Sequence, residues 1–173
     1  MKPRDRQPLN ESDLGSFSKA TTARLLAEWP EIRASLEMEP ACEPDGFSIA
    51  LDLQSPTGDP TRHLGIWVNK DRSGGPDLSI GFGPWHTHAS LERRRSADPI
   101  EAILLLLRAI FRDEIIIIEE VGGKYPGRRY ALDLREQYAL ADALTKPWSP
   151  DRIVVESWSG KRDWAVSLDE ISL

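Results

Sequence analysis

A single cysteine, Cys42, stands in 173 residues. One thiol cannot close an internal disulfide, and by itself it cannot supply a thiolate zinc site, so the fold has to be held by packing. Histidine is scarce too, with three in the chain. No apolar run approaches the roughly 18 residues of a membrane span. The opening MKPRDRQPLN carries basic residues with no apolar segment behind them, which argues against a secretory signal. Positive charge is in the minority: 22 Lys and Arg face 28 Asp and Glu, a formal net charge of −6. Nucleic-acid binders show the opposite signature, a clustered basic surface. The expectation is a cytoplasmic protein with neither a membrane nor a nucleic-acid partner.

What the chain has is 40% hydrophobic residues, enough for a sizeable core at this length. Residues 1–17 alternate charge, Pro, Asn, Ser and Gly, with Leu9, Leu14 and Phe17 as the large apolar groups, and read as a flexible leader. A single α+β domain is expected over 18–173. Leu25, Trp29, Ile32 and Leu36 recur at helical spacing, but Pro30 interrupts them. Either a helix kinks there or a second one starts with Pro30 in its first position. Phe47, Ile49 and Leu51 alternate as a half-buried strand does, 63–70 and 78–82 read as a hairpin, and 85–90 follows as an extended edge.

The best-marked element opens at Asp98, where Asp98, Pro99 and Glu101 take the N-cap, first-turn and capping-box positions before the apolar run Ile100 to Phe111. Glu101, Arg108 and Arg112 share one narrow stripe, so this helix is expected to be largely buried. Four consecutive isoleucines, Ile115 to Ile118, predict a central strand with apolar groups on both faces. A hairpin through Gly122, Gly123 and Gly127 into 128–133, a helix over 134–144, and a final hairpin of 152–158 with 163–166 complete the reading. The fold class is therefore α+β: mostly antiparallel sheet against one long buried helix, with one or two further helices.

Chemistry is thinly represented. His86 and His88 lie at i and i+2 on a strand, which puts both imidazoles on one face where they can chelate a metal. A metal centre also needs further ligands, for which Glu119, Glu120 and Asp98 are the candidates. Arg93, Arg94 and Arg95 read as a solvated loop, and Gly122, Gly123 and Lys124 lack the rest of a phosphate loop. Cys42 sits among Glu39, Glu43 and Asp45, which oppose thiolate formation. Neighbouring Glu119 and Glu120 point to opposite sides of a strand, and a cross-strand pair with Arg128 or Arg129 is their expected role. Six tryptophans, Trp29, Trp67, Trp85, Trp148, Trp158 and Trp164, offer packing or, where exposed together, the aromatic centre of a contact surface.

The stretch GFGPWHTHAS followed by Ser96 and Asp98 resembles the metal signature of the JAMM isopeptidases, in which two histidines precede a serine and an aspartate. It departs from that pattern where the aspartate should stand, at Pro99, and Ala89 replaces the proline usual after the second histidine. The segments IGFGPWHTH and ESWSGKRDW, with the capped helix and the isoleucine strand between them, resemble a small bacterial α+β family. In style the chain is similar to the immunity proteins of polymorphic toxin systems. That resemblance implies a compact acidic protein with no catalytic residue to carry over. Residues 31–60 hold Glu31, Glu37, Glu39, Glu43, Asp45, Asp52 and Asp59 against Arg33 alone, a field suited to a basic partner. The expectation is a non-enzymatic protein-binding module, with an immunity protein against a basic toxin domain as the finer reading. Trp85, His86, His88 and Trp158 are its candidate contact residues. No metal and no cofactor are expected, and homo-oligomerisation is left open. The alternatives are a metal-dependent hydrolase centred on His86 and His88, and a structural subunit of an assembly.

Overall fold

The computed structural model describes residues 5–40, 43–83, 85–92, 95–122, 127–135 and 151–167. The chain is mixed α and β with more strand than helix, and its strands form two antiparallel sheets. It divides into two compact units, Met1–Gln54 with His63–Leu105, and Ser55–Arg62 with Leu106–Leu173.

The first unit is built on a six-stranded sheet in chain order: β1 (Gln7–Pro8), β2 (Leu36–Glu39), β3 (Ser48–Gln54), β4 (His63–Lys70), β5 (Pro76–Phe82) and β6 (Trp85–His88). β4 shows most directly why these residues form a sheet, since Leu64, Ile66 and Val68 are buried while their neighbours are not. Register places Leu64 opposite Phe82, Ile66 opposite Ile80 and Val68 opposite Leu78, so one face is continuously apolar. Each such side chain contributes about 1.5–3 kcal/mol on burial. β2 corrects the helical reading of Leu36, because Leu36 pairs with Leu51 and Met38 with Ile49 on that inner face. Cross-strand pairing outweighs a helical spacing already broken at Pro30, which instead opens a 3-10 helix, Pro30–Ser35. The expected flexible leader is also corrected over its described part. Gln7 and Pro8 pair with β2, and Leu14 is 1% exposed, bridged to Phe47.

Helix α1 (Ser16–Glu28) starts at Gly15, which has no side chain to cap it. Glu43 does so from a distance, accepting hydrogen bonds from the backbone N–H of Phe17 at 3.0 Å and of Ser18 at 3.2 Å, and from the Ser18 hydroxyl. Asp45 accepts the N–H of Ser16 at 2.9 Å. A Cβ at position 15 would lie 2.4 Å from Glu43 Oε2, so a larger residue there would displace the capping carboxylate.

Helix α2 (Pro99–Phe111) is capped as expected by Asp98, whose Oδ1 accepts the Ile100 N–H at 2.9 Å. It is buried along most of its circumference. It has 13 residues, as α1 does, so the single long helix of the sequence reading is corrected to two equal ones. Asp98 and Glu101 both pair with Arg24 of α1. At the other end Asp113 takes a left-handed conformation with φ 54°, and the N–H groups of Asp113 and Glu114 return to the carbonyls of Ile110 and Ala109.

The second unit holds a four-stranded sheet in the order β10 (Trp164–Ser167), β9 (Arg152–Ser157), β7 (Ile115–Val121), β8 (Arg128–Asp133). β7 is interior and Ile115 to Ile118 are all buried, as β-branching and two-sided apolarity predict. Ile116, Ile118, Leu132, Ile153 and Val155 form one core cluster. Glu119 pairs with Arg129 across the hairpin at 2.8 Å, while Glu120 is buried. Of the helix expected over 134–144, Leu134 and Arg135 form a turn and the rest lies outside the described residues.

Candidate functional site

Alternation along β4 decides what the first sheet shows on its other face. With Leu64, Ile66 and Val68 turned inward, His63, Gly65, Trp67 and Asn69 face outward. Register extends these positions across the neighbouring strands: Trp67 is opposite Ser79 and Ser79 opposite His88, while Gly65 is opposite Gly81 and Gly81 opposite His86. All three histidines of the chain therefore lie on one sheet face. His63 and His86 are exposed, and His88 is half-buried.

The centre of this face is shaped by the two glycines. Trp67 lies across them: a Cβ on Gly81 would come within 3.1 Å of Trp67 Cη2, and one on Gly65 within 3.3 Å of Cζ3. A Cβ in either place would oblige the indole to give by a few tenths of an ångström, and a bulkier side chain by more. Beside it runs a short hydrogen-bond chain, in which the Asn69 amide donates to Ser79 Oγ at 2.7 Å and Ser79 Oγ meets His88 Nδ1 at 2.7 Å. Ser79 is 0% exposed, so the far partner of His88 is fixed inside the protein. The His86 and His88 rings stand 5.7 Å apart, almost perpendicular. Beyond β6, Leu91 is 68% exposed and is anchored by its N–H to the His88 carbonyl at 2.9 Å.

On β2 and β3 the same face is acidic. Arg6 lies among Glu37 at 3.3 Å, Asp52 at 3.7 Å and Glu39 at 4.0 Å, three carboxylates around one guanidinium. A cleft of about 270 Å³ is lined by Asp71, Asp77, Ala89, Ser90, Ala97 and Pro99. Its carboxylates serve the backbone: Asp71 accepts the N–H groups of Ser73 and Gly75, and Asp77 that of Ser90. The Ser73 hydroxyl and these N–H groups hold the Asp71 carboxyl below the usual range, against a smaller upward push from desolvation.

Of the four contact residues read from the sequence, three stand on β6 of the first unit and one in the second unit. His86 and His88 share the outward face, but Trp85 is opposite Phe82 and belongs to the inner row. Trp158 is in the second unit, 8% exposed, with its ring 5.6 Å from that of Phe111. It is a packing residue, because a flat apolar side chain beside Phe111 gains more from burial than from exposure. Trp67, not singled out from the sequence as a contact residue, lies on the outward face beside the histidines, and the paired glycines beneath it were the available signal.

Two residues of the metal-signature resemblance, Ser96 and Asp98, are engaged at the start of α2. Ser96 Oγ accepts the N–H of Asp98 at 3.1 Å, and Asp98 caps α2 and binds Arg24. Among the described residues no group of three or more His, Cys, Asp or Glu is placed to hold a metal ion. No described helix is long and apolar enough to cross a membrane. The fold and this face define an α+β protein with an open, histidine-rich sheet surface. No family model, curated protein or solved structure matches the chain.

Proposed function

We propose that the protein is a non-enzymatic protein-binding module that engages its partner through the outward face of β4, β5 and β6. The observation that supports this reading is the half-buried Trp67 laid over Gly65 and Gly81, bordered by exposed His63 and His86. Exposed Leu91, hydrogen-bonded to the His88 carbonyl, extends the same border. A flat aromatic set in a shallow patch, ringed by amphipathic side chains, is the composition of a binding hot spot. The finer reading is an immunity protein whose partner is a basic toxin domain, in keeping with the net charge of −6.

The test starts from a partner captured with the full chain, purified, and titrated against wild type, Leu91→Arg, His86→Glu and Val121→Ser. Val121 is exposed in the second unit and serves as the control. A drop in affinity of roughly tenfold or more for the first two changes, with Val121→Ser unaffected, is the expected result. Equal binding by all four variants would remove this face from the interaction. For the immunity reading, co-expression of the chain should restore growth to cells making the partner.

A further inference from the structure

We infer that His86 and His88 form a two-imidazole chelate for a borderline divalent cation, with Cu²⁺ favoured and Zn²⁺ weaker, and with Ser79 as the residue that positions the second ring. This goes beyond the protein-binding reading and does not depend on it. It also departs from the sequence expectation of no metal, and the reason is a residue that spacing alone did not bring into view.

Three observations carry it. First, the rings project from the same face of β6 with centroids 5.7 Å apart. A metal held at about 2.0–2.1 Å by one nitrogen of each ring requires ring centres of about this separation or somewhat less, so the rings close the chelate by rotating about their side-chain bonds until the two nitrogens converge. Second, His88 Nδ1 is occupied by Ser79 Oγ at 2.7 Å, and Ser79 is held in turn by the Asn69 amide. Metal-ligating histidines have this arrangement, one nitrogen hydrogen-bonded to the protein and the other turned to the metal. Donor and acceptor can exchange across this contact, and the tautomer that binds metal is the one in which Nδ1–H donates to Ser79 Oγ and leaves the lone pair of Nε2 for the ion. Third, His86 is exposed, so the ion has a path to the pair and water can fill the remaining positions.

Two nitrogens with open oxygen positions suit a tetragonal Cu²⁺ best. The same donors rank Ni²⁺ and Zn²⁺ below it and give Mg²⁺ and Ca²⁺ nothing they prefer. Asp98 does not complete the set, being committed to α2 and Arg24. The site is therefore an open two-ligand centre on the sheet surface, in contrast to a closed structural one.

The experiment titrates the full chain with CuCl₂ and ZnCl₂ by calorimetry, with electron paramagnetic resonance on the Cu²⁺ complex. His86→Ala, His88→Ala, Ser79→Ala and His63→Ala are compared, with circular dichroism reporting that each is folded. The expected result is one Cu²⁺ per chain with two-nitrogen coupling, lost in His86→Ala and in His88→Ala and kept in His63→Ala. Ser79→Ala should weaken the affinity by roughly tenfold or more while leaving the stoichiometry at one. His86 is exposed, so its replacement tests the chelate even where changes at His88 or Ser79 disturb the fold. Uptake only at millimolar metal, or Cu²⁺ binding that survives in His86→Ala, overturns the inference.

Discussion

Glu43→Ala takes away one carboxylate that serves three donors at the start of α1: the backbone N–H groups of Phe17 and Ser18, and the Ser18 hydroxyl. Glu43 is 6% exposed and Ser18 0%, so water does not readily replace what is lost. Loss of a helix N-cap costs about 1 kcal/mol. A buried donor left without an acceptor adds about 1–3 kcal/mol. The expected cost is therefore about 2–4 kcal/mol, borne by the first unit. Glu43→Gln keeps the shape and one carbonyl oxygen, and should cost about 1 kcal/mol. Because the chain has two compact units, a single melting transition is a poor readout, and native-state amide exchange is the better assay. Protection of Phe17, Ser18 and Ile49, whose N–H donates to Ser18 Oγ, should fall roughly 30- to 1000-fold in the alanine variant. The β7 amides of the second unit are the reference. If Glu43→Ala lowers protection less than tenfold, or no more than Glu43→Gln does, then the carboxylate is not what holds the start of α1.

Gly81→Val should lift Trp67 from the sheet, since even a Cβ at that position comes within 3.1 Å of the indole; a red shift in tryptophan emission that is absent in a Trp67→Phe background would report it, and an unchanged spectrum would contradict it. Asp113→Gly relieves a left-handed residue by about 1 kcal/mol but gives up the bonds that Asp113 accepts from the Ser159 N–H and hydroxyl, each about 1.5–3 kcal/mol, so urea denaturation should show net destabilisation. A net gain from that glycine would mean that the Ser159 bonds contribute little. Burial pushes the Asp98 carboxyl up, but Arg24 and the N–H groups of Ile100 and Glu101 outweigh it and hold its pKa below the ordinary range. A depressed folded pKa gives stability that is present above about pH 4 and is lost as pH falls through the lowered value. Asp98→Asn should flatten that part of the acid-unfolding curve, and an unaltered acid limb would assign it to other carboxylates.

Elements whose signal is local were readable from the sequence. Asp98, Pro99 and the apolar run announce α2, and the consecutive isoleucines announce β7, because capping chemistry and β-branching act within a few residues. Hairpins with short turns, as from β4 to β5 and from β9 to β10, were equally legible. What escaped depends on partners far along the chain. Gln7 and Pro8 form a strand only because Glu37 and Met38 are there to pair with them, and Leu14 is buried only by its bridge to Phe47. The start of α1 carries no capping side chain of its own, since its carboxylates come from Glu43 and Asp45. The site was half legible for the same reason. Strand periodicity put His86 and His88 on one face, but Trp67, Ser79 and Asn69 join them through register, which no spacing along the chain encodes.

The acidity of residues 31–60 changes meaning once its members are placed. Glu43 and Asp45 cap α1, and Asp59 turns its carboxylate to the Thr61 N–H and hydroxyl and to Arg62. Glu37, Glu39 and Asp52 surround Arg6. Internal pairing of this kind weakens the local potential that a docked basic side chain would feel, yet it leaves the chain's net charge of −6 untouched. Long-range attraction of a basic partner follows the net charge and is screened over about 8 Å at physiological salt, whereas contact specificity follows the unpaired groups at the surface. Under the proposed protein-binding reading, the net charge hastens encounter with a basic partner while contact recognition falls to the Trp67 face, so added salt should slow association without changing which variants bind.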